Sequence, residues 1–587
     1  MLMYIPFWTI VKKREHLQWT MENEAIKETY PIVDVFIVCC NEPYDILLDT
    51  VRSALSLNYP KDKYRIWILD DGNDKSIEEN MIKISKTYET LLHVKYIRRL
   101  KQKNTPHYYK AGNLNNGIRE VKQIIGQVGD YVLVQDVDMI LHPDFLLRTL
   151  PHFKEDDRVA FVQAGQNYYN LYSSDILCQG LIGINQVLLH CDSNNQSSIC
   201  IGSGVLIKSS IIDELNGFPT DSITEDFHFS FSIHKLGYKS VYITEHLQFG
   251  LIPDSLIGTI EQYKRWESGN FQVICRYFDK LFSCKRYKNR MTFFQRINYF
   301  IHGTRIINCL MQLYSMLLLL VSLWIEKPYV ILANSSILKM TLTMTWIQYL
   351  FSRFILYFIH YDMVIDYNSS GYDSIEVTDV NETKTQKINS ILCILQFVER
   401  TMQKSAWTSP FYFVSLSEIF VKIPLPFIPT GSYPSIHDER KNFLKFILNL
   451  ISKGLIFHIL YIPIGLAAII YQLIRMTSKT FPLSLWYIPL VVINIYSLIP
   501  PIWFIIFPPP PTRNRQDLLQ YTEQEGNQEP QVKLKTNVSL YPTSKYALLL
   551  IMFPLLIIAL VFTNIILLFI SPDYIQPFLV KTNIPVT

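Results

Sequence analysis

The sequence is short of charge. Charged residues make up 18% of its 587 residues, against roughly 25% in an average soluble protein. Its 55 basic and 51 acidic residues leave a formal net charge of +4. So small an excess gives no electrostatic case for nucleic acid as a partner. Cysteine is also scarce: nine residues, one adjacent pair (Cys39 and Cys40) and no C-x-x-C. That pattern excludes a zinc ribbon and a disulfide framework, and fits polar parts exposed to the cytosol. With 49% hydrophobic residues the chain has ample apolar material to bury, which excludes disorder as a class. At about 100–200 residues per domain, the length predicts three or four domain-sized units.

The apolar residues are unevenly spread. Residues 31–290 read as a soluble α/β domain, and the remainder of the chain reads as membrane. A span needs about 20 largely apolar residues. Five segments qualify: 306–325, 340–360, 451–473 (starting as early as Phe443), 485–506 and 547–570. The second carries Arg353, which either faces a protein-lined cavity or snorkels to the interface. Loop 361–445 carries eight Lys or Arg residues, from Lys384 to Lys445, and loop 507–545 carries five. The opposite loops carry only Lys327 and Lys339, then Arg475 and Lys479. The positive-inside rule therefore puts both long loops and the first domain in the cytosol, with the tail 571–587 outside. Residues 1–30 hold an apolar stretch too short to span, read as an interfacial anchor or the remnant of a helix. Segments 291–305 (Phe293, Phe294, Ile297, Phe300, Ile301) and 388–402 (Ile388, Ile391, Leu392, Leu395, Val398, Met402) repeat apolar residues at helical spacing. Both are expected to lie in the membrane interface, or else to pack on the cytosolic domain.

In the first domain, acidic residues gather at strand ends. Val33–Cys39 is an apolar, β-branched run that ends at Asn41-Glu42-Pro43. A helical pattern comes next, and then Tyr64–Leu69 runs into Asp70-Asp71-Gly72. Strand, helix and strand with short connections predict a parallel α/β sheet, whose ligands sit beyond the carboxyl ends of the strands. A third strand, Tyr131–Gln135, ends in Asp136-Val137-Asp138. Carboxylates at i and i+2 point to one side of the chain. Hard divalent cations take such oxygens, often with substrate phosphates completing the shell. Thr224-Glu225-Asp226 and Gln262-Tyr263-Lys264-Arg265-Trp266 come later.

Taken in order, these motifs resemble the processive family-2 glycosyltransferases, and most closely the cellulose synthases. The matching stretches are VDVFIVCCNEP (33–43), LDDGND (69–74), KAGNLN (110–115), QDVDM (135–139), VQAGQNYYN (162–170), IGSGVLIKSS (201–210), TEDFHFSFSIHKLGYKSVY (224–242) and GLIPDSLIGTIEQYKRW (250–266). The resemblance implies a GT-A-type α/β domain, a Rossmann-like mixed sheet, followed by a helical transmembrane channel. It implies a UDP-sugar donor with Mg²⁺ or Mn²⁺ held by Asp136 and Asp138. Glu42, Asp70, Asp71, Lys110, Gln262 and Arg265 match donor-contacting positions. Asp226 matches the catalytic base, and Glu225 and Trp266 match the acceptor side. The implied product is a β-glucan made from UDP-glucose and carried across the plasma membrane or a Golgi membrane. A homo-oligomer or accessory subunit is a compatible partner. A UDP-N-acetylglucosamine polymerase, a single-transfer glycolipid enzyme and an inactive scaffold are the alternatives.

Some residues depart from the family pattern. Cys40 stands where the family has a tyrosine that stacks on the base. The place of the gating loop reads Pro426–Ser432, without its usual lysine; Phe427 and Thr430 are the expected contacts there. No cyclic-dinucleotide-binding domain follows the last spans, so regulation by such a ligand is not expected. His228 is open to either a chemical or a structural role, and His234 reads as structural.

Overall fold

Val33, Val35, Ile37 and Cys39 face one side of the first strand, and Asp34 and Phe36 face the other; the period of two gives the sheet two buried faces. The computed structural model describes residues 30–88, 94–101, 106–171, 175–180, 196–282, 290–327, 380–421, 435–476, 481–509, 519–521 and 532–534, with isolated positions such as Trp19. The expected spans 340–360 and 547–570, the gating-loop residues Phe427 and Thr430 and nearly all of residues 1–30 lie outside the described residues.

Strands β1 (Val33–Cys39), β2 (Tyr64–Asp70), β3 (Val94–Arg98) and β4 (Tyr131–Asp136) pair in parallel, with Cys39 opposite Asp70 and Val38 opposite Asp136. This register brings the acidic strand ends to one edge of the domain. Four more strands complete a mixed sheet of order β3-β2-β1-β4-β7-β6-β8-β5: β5 (Met139–Leu141), β6 (Val159–Tyr168), β7 (Val205–Lys208) and β8 (Lys239–Gly250). The expected third strand is thus the fourth; β3 was missed because Val-Lys-Tyr-Ile-Arg is only half buried and carries two cations. Helices α1 (Tyr44–Leu55) and α2 (Lys75–Tyr88) cover one face through Leu47, Val51, Ala54, Ile77 and Met81. Helices α3 (Tyr109–Ile125) and α4 (Glu225–Leu236) cover the other through Leu114, Ile118, Phe229 and Ile233.

One buried ion pair ties the first strands together. Asp34 is 0% exposed and accepts from Arg65 (Nε 2.6 Å, Nη2 2.7 Å), Trp67 Nε1 (2.8 Å) and the Gly129 N–H (2.6 Å). All four donors depend on one carboxylate. His234 is satisfied in the same structural manner, between the Tyr299 hydroxyl at 2.6 Å and Ser240 Oγ at 2.9 Å. Burial holds its imidazole neutral, with the pKa lowered to about 3.

Beyond the sheet, α5 (Leu256–Leu281) and α6 (Phe293–Gly303) lead into α7 (Arg305–Ile325), α8 (Val380–Phe420), α9 (Phe443–Leu450), α10 (Ile456–Ile474) and α11 (Phe481–Ile506). Among the described residues, three stretches of helix are long and apolar enough to cross a membrane: Arg305–Ile325, Phe443–Ile474 and Trp486–Ile506. On α7, Met311, Tyr314, Leu317, Val321 and Ile325 are exposed at helical spacing, while Leu313, Met316, Leu320 and Leu323 are buried in the bundle. An apolar stripe of that size suits lipid, not water. The bend between α9 and α10 falls at Gly454, whose φ of +129° and contact with the Pro410 carbonyl leave no room for a side chain.

The helix expected in the interface at 388–402 is part of α8. From residue 395 onward, α8 buries Gln396, Glu399, Arg400, Gln403, Lys404 and Trp407. These polar residues pack against other parts of the protein: Gln403 donates to the Tyr496 carbonyl, and Lys404 lies over the Tyr263 ring. The segment 291–305 forms α6, which buries Gln295, Asn298, Tyr299 and Ile301 and leaves Phe293 70% exposed. Helix α5 joins the two halves of the chain. Its Lys264 pairs with Glu418 at 3.3 Å, its Glu267 with Arg305 at 3.0 Å, and its Glu261 with Lys453.

Replacing Asp34 by Ala would strand Arg65 as an unpaired buried cation. We expect a loss of about 3–5 kcal/mol, read as a lower denaturation midpoint of the purified protein; an unchanged midpoint would contradict this role for the pair.

Candidate active site

The parallel strands end beneath a cavity of about 330 Å³. Its walls include Cys40, Glu42, Asp71, Lys110, Asp136, Asp138, Glu225, Asp226, Gln262, Arg265 and Trp266. Ten of the sequence-nominated site residues therefore meet in one place, from six separate stretches of chain. Asp70 is the exception. It is 2% exposed, does not line the cavity and accepts from the Gly72 N–H (2.7 Å) and the Tyr96 hydroxyl (2.5 Å). Adjacent residues at a strand end point to opposite sides, so Asp70 braces the turn that presents Asp71.

Asp71 has its own counter-charges. Arg99 grips it at both oxygens, Nε to Oδ1 at 2.7 Å and Nη2 to Oδ2 at 2.8 Å, and Lys101 Nζ lies 3.3 Å from Oδ2. This forked geometry fixes the carboxylate's direction as well as its charge. Glu42 is turned inward by Asn41, which takes the left-handed conformation at φ 64° and accepts from the Asn73 N–H at 2.9 Å. The Glu42 carboxylate accepts from the Cys40 N–H.

Lys110 stands among the remaining carboxylates. Its ammonium donates to Asp136 Oδ1 and to the Gly202 carbonyl at 2.8 Å. Burial alone would lower its pKa; Asp136, Glu225 and Asp226 outweigh burial and raise it. The surrounding carboxyls feel the opposite imbalance. Burial, with Asp136 and Glu42 adding to it, pushes Asp138 up to about 8. Burial raises Glu42 to about 7, and burial with Asp226 raises Glu225 to about 7. Asp226 is raised by burial and pulled back by Lys110. One lysine does not neutralise this group. Crowded, desolvated carboxylates with raised proton affinity suit an added divalent ion. Among the described residues no three His, Cys, Asp or Glu side chains form a ready-made ion cage. Asp136 and Asp138 would thus be ligands of an ion whose other positions are filled by a phosphate-bearing substrate or water.

Asp226 lies in the first turn of α4, after the N-cap Thr224, so it is not itself the cap. Its Oδ1 accepts from the Phe227 N–H at 2.7 Å, which fixes the carboxyl. A Cβ at Gly202 would lie 2.9 Å from Asp226 Oδ2 and 3.3 Å from Lys110 Nζ, on a backbone with φ +87°. Only glycine lets that loop pass between the two. Gln262, Arg265 and Trp266, spaced i, i+3 and i+4, share one face of α5 at the cavity wall. Behind Trp266 the rings of Tyr263 (5.9 Å) and Trp407 (6.1 Å further) continue toward the helices. Cys40 lines the wall, in the place where the resemblance expects a tyrosine. His228 stays outside the cavity lining, 3.1 Å from Asp221.

Sequence reasoning missed Arg99 and Lys101, and assigned no role to Gln166, Tyr168 and Gly202 within its quoted motifs. The cations of Arg98-Arg99-Leu100-Lys101 were visible, but β3, which carries them to Asp71, was not. Gln166 and Tyr168, from the stretch 162–170, line the cavity.

Residues 34–215 match the model of glycosyl transferase family 2, and residues 131–365 match that of glycosyl transferase family group 2. The chain carries a family-2 glycosyltransferase domain. It is similar to cellulose synthase 2 of Novacetimonas hansenii, 26% identical over 298 residues, 49% of this chain and 18% of that protein. It is also similar to the UDP-forming cellulose synthase catalytic subunit of Xanthomonas axonopodis pv. citri (strain 306), 28% identical over 256 residues, 42% of this chain and 33% of that protein. The chain thus spans a third or less of the length of these relatives. A mannosyltransferase from Pyrobaculum calidifontis, solved with GDP-Man and Mn²⁺, superposes with a TM-score of 0.40 at 15% identity, covering 52% of this chain and 79% of its own. The strand order, rather than that loose superposition, defines the GT-A-like mixed sheet.

Gly202→Ala is expected to push Asp226 and Lys110 apart while leaving the sheet intact. Sugar transfer should fall by about 100-fold, the scale of a 1 Å misplacement, with only the small drop in the thermal unfolding midpoint that alanine at positive φ brings. Wild-type turnover by this variant would contradict the close approach.

Proposed function

We propose that this chain transfers a hexose from a UDP-sugar, with UDP-glucose the favoured donor, onto a growing β-glucan, and that its helices carry the product across the membrane. The observation that carries this reading is the meeting of Asp136, Asp138, Lys110 and Asp226 around one cavity at the strand ends, in a domain of glycosyltransferase family 2. The relatives' names support the donor and the polymer.

Asp71, set by Arg99 and Lys101, would face the nucleoside. A divalent ion bound with the donor would be held by Asp136 and Asp138 and would offset the charge of the departing diphosphate. Lys110 and Arg265 would add fixed positive charge on the same side. An acceptor hydroxyl would attack the anomeric carbon as its bond to the diphosphate oxygen breaks, the bonding pair leaving with UDP. Asp226 would take the hydroxyl proton. A single displacement inverts an α-linked donor to a β-linked product. Trp266 would be the floor for the acceptor sugar, with Glu225 beside it.

Contacts from beyond the spans support a shared side for the catalytic domain and both long loops, with the cytosol as that side. Glu439 accepts from the Leu256 and Ile257 N–H groups at 3.1 and 3.2 Å, capping α5. Tyr521, from loop 507–545, reaches Asp49 of α1.

The test uses purified protein in lipid with Mg²⁺ or Mn²⁺, given labelled UDP-glucose and UDP-N-acetylglucosamine in parallel. Long polymer from UDP-glucose, digestible by a β-glucanase and reduced by about 10²- to 10⁴-fold in Asp226→Asn, is the expected result. Polymer from UDP-N-acetylglucosamine alone, or a short lipid-linked product, would overturn the assignment.

A further inference from the structure

The chain's last described segments return to its first domain. Strands β9 (Leu519–Tyr521) and β10 (Val532–Leu534) pair antiparallel, Leu519 opposite Leu534 and Tyr521 opposite Val532. Leu519 and Val532 are each 1% exposed, buried against Ile140, Tyr169 and Phe249, with Leu251 packed alongside. The Tyr521 hydroxyl donates to Asp49 Oδ2 at 3.0 Å.

What the hairpin touches is the support of the Asp136–Asp138 turn. Strand β5 begins at the residue after Asp138 and is the three-residue edge of the sheet. Its Met139 lines the cavity, and its neighbour Ile140 lies under the hairpin. So short an edge strand has little pairing of its own to fix it. Five hydrogen bonds hold the turn: Val137 O accepts from Thr50 Oγ1, Asp138 O from the Leu251 N–H at 3.2 Å and Met139 O from Gln135 Nε2 at 2.8 Å, while the Val137 N–H donates to Val38 O at 3.2 Å and the Asp136 N–H to Ser203 Oγ at 3.0 Å. The hairpin reaches two of these supports, Thr50 through its neighbour Asp49 and Leu251 through the shared cluster.

We infer that the β9–β10 hairpin clamps the Asp136–Asp138 turn, making Leu519, Tyr521 and Val532 positioning residues for a divalent cation and the diphosphate it accompanies. This rests on the proposed reading of that turn. A segment reached only after the membrane helices thereby becomes part of the donor site, so the cytosolic domain alone would lack it.

The test is Mn²⁺ binding to the full-length protein in lipid with UDP present, followed by electron paramagnetic resonance. Leu519→Asp should weaken Mn²⁺ binding by about tenfold, the scale for losing a support behind a metal ligand, and Leu519→Met should restore it. Tyr521→Phe loses no buried surface and keeps the fold; it should weaken binding a few-fold, as the loss of one hydrogen bond would. A merely structural hairpin would lower the unfolding midpoint and leave Mn²⁺ affinity unmoved. Unchanged affinity in both Leu519→Asp and Tyr521→Phe, with the wild type binding Mn²⁺ and UDP, would overturn the clamp alone. A wild type that binds no Mn²⁺ with UDP would overturn the functional reading and the clamp together.

Discussion

Lys110 is the charge on which the site depends. Its ammonium joins Asp136 to the Gly202 carbonyl and sits close to Asp226, so Asp136 and the proposed base share its charge. Glu42, Asp138 and Glu225 crowd the same low-dielectric space with their proton affinities raised. A site built only for stability would pair each of these charges, as the protein does elsewhere at Asp34 with Arg65. Crowding Glu42, Asp138 and Glu225 beside Lys110 and Arg265 makes sense if a divalent ion and a diphosphate complete the balance.

The fold serves that arrangement. Parallel pairing of β1, β2 and β4 in register sets Cys39, Asp70 and Asp136 near one level, and the residues just past them form the cavity wall. Left-handed backbone at Asn41, Tyr108 and Tyr109 bends the chain where Glu42 and Lys110 must point inward. Such conformations persist where their surroundings hold them, and they cluster at functional sites. Helix α5 carries Gln262, Arg265 and Trp266 on one face and ion pairs to the following helices on others, so this wall of the cavity and the bundle form one packed unit.

Much of this was legible in the sequence where a strong local pattern and a chemical group coincided. β1, β2 and β4 are apolar runs that stop at carboxylates, and the eight ordered motifs located nearly every cavity residue. Legibility failed where tertiary contacts alone decide. Asp70 and Asp71 are alike in sequence, and only strand direction sends one to Tyr96 and the other to the cavity. Arg99 needed β3, whose lysine and arginine hide its strand character. The burial of Glu399, Arg400 and Lys404 could not be read from their own segment, because their surroundings come from distant parts of the chain. The hairpin strands Leu519–Tyr521 and Val532–Leu534 are too short to register as strands, and it takes the first domain to bury them.

A structure of the full-length protein in a lipid disc, determined with UDP and Mg²⁺, tests the charge balance most directly. Density for the ion is expected between the Asp136 and Asp138 carboxylates and the diphosphate, with the uridine beside Asp71 and Cys40. UDP bound away from these carboxylates, or bound there without an ion, would contradict it.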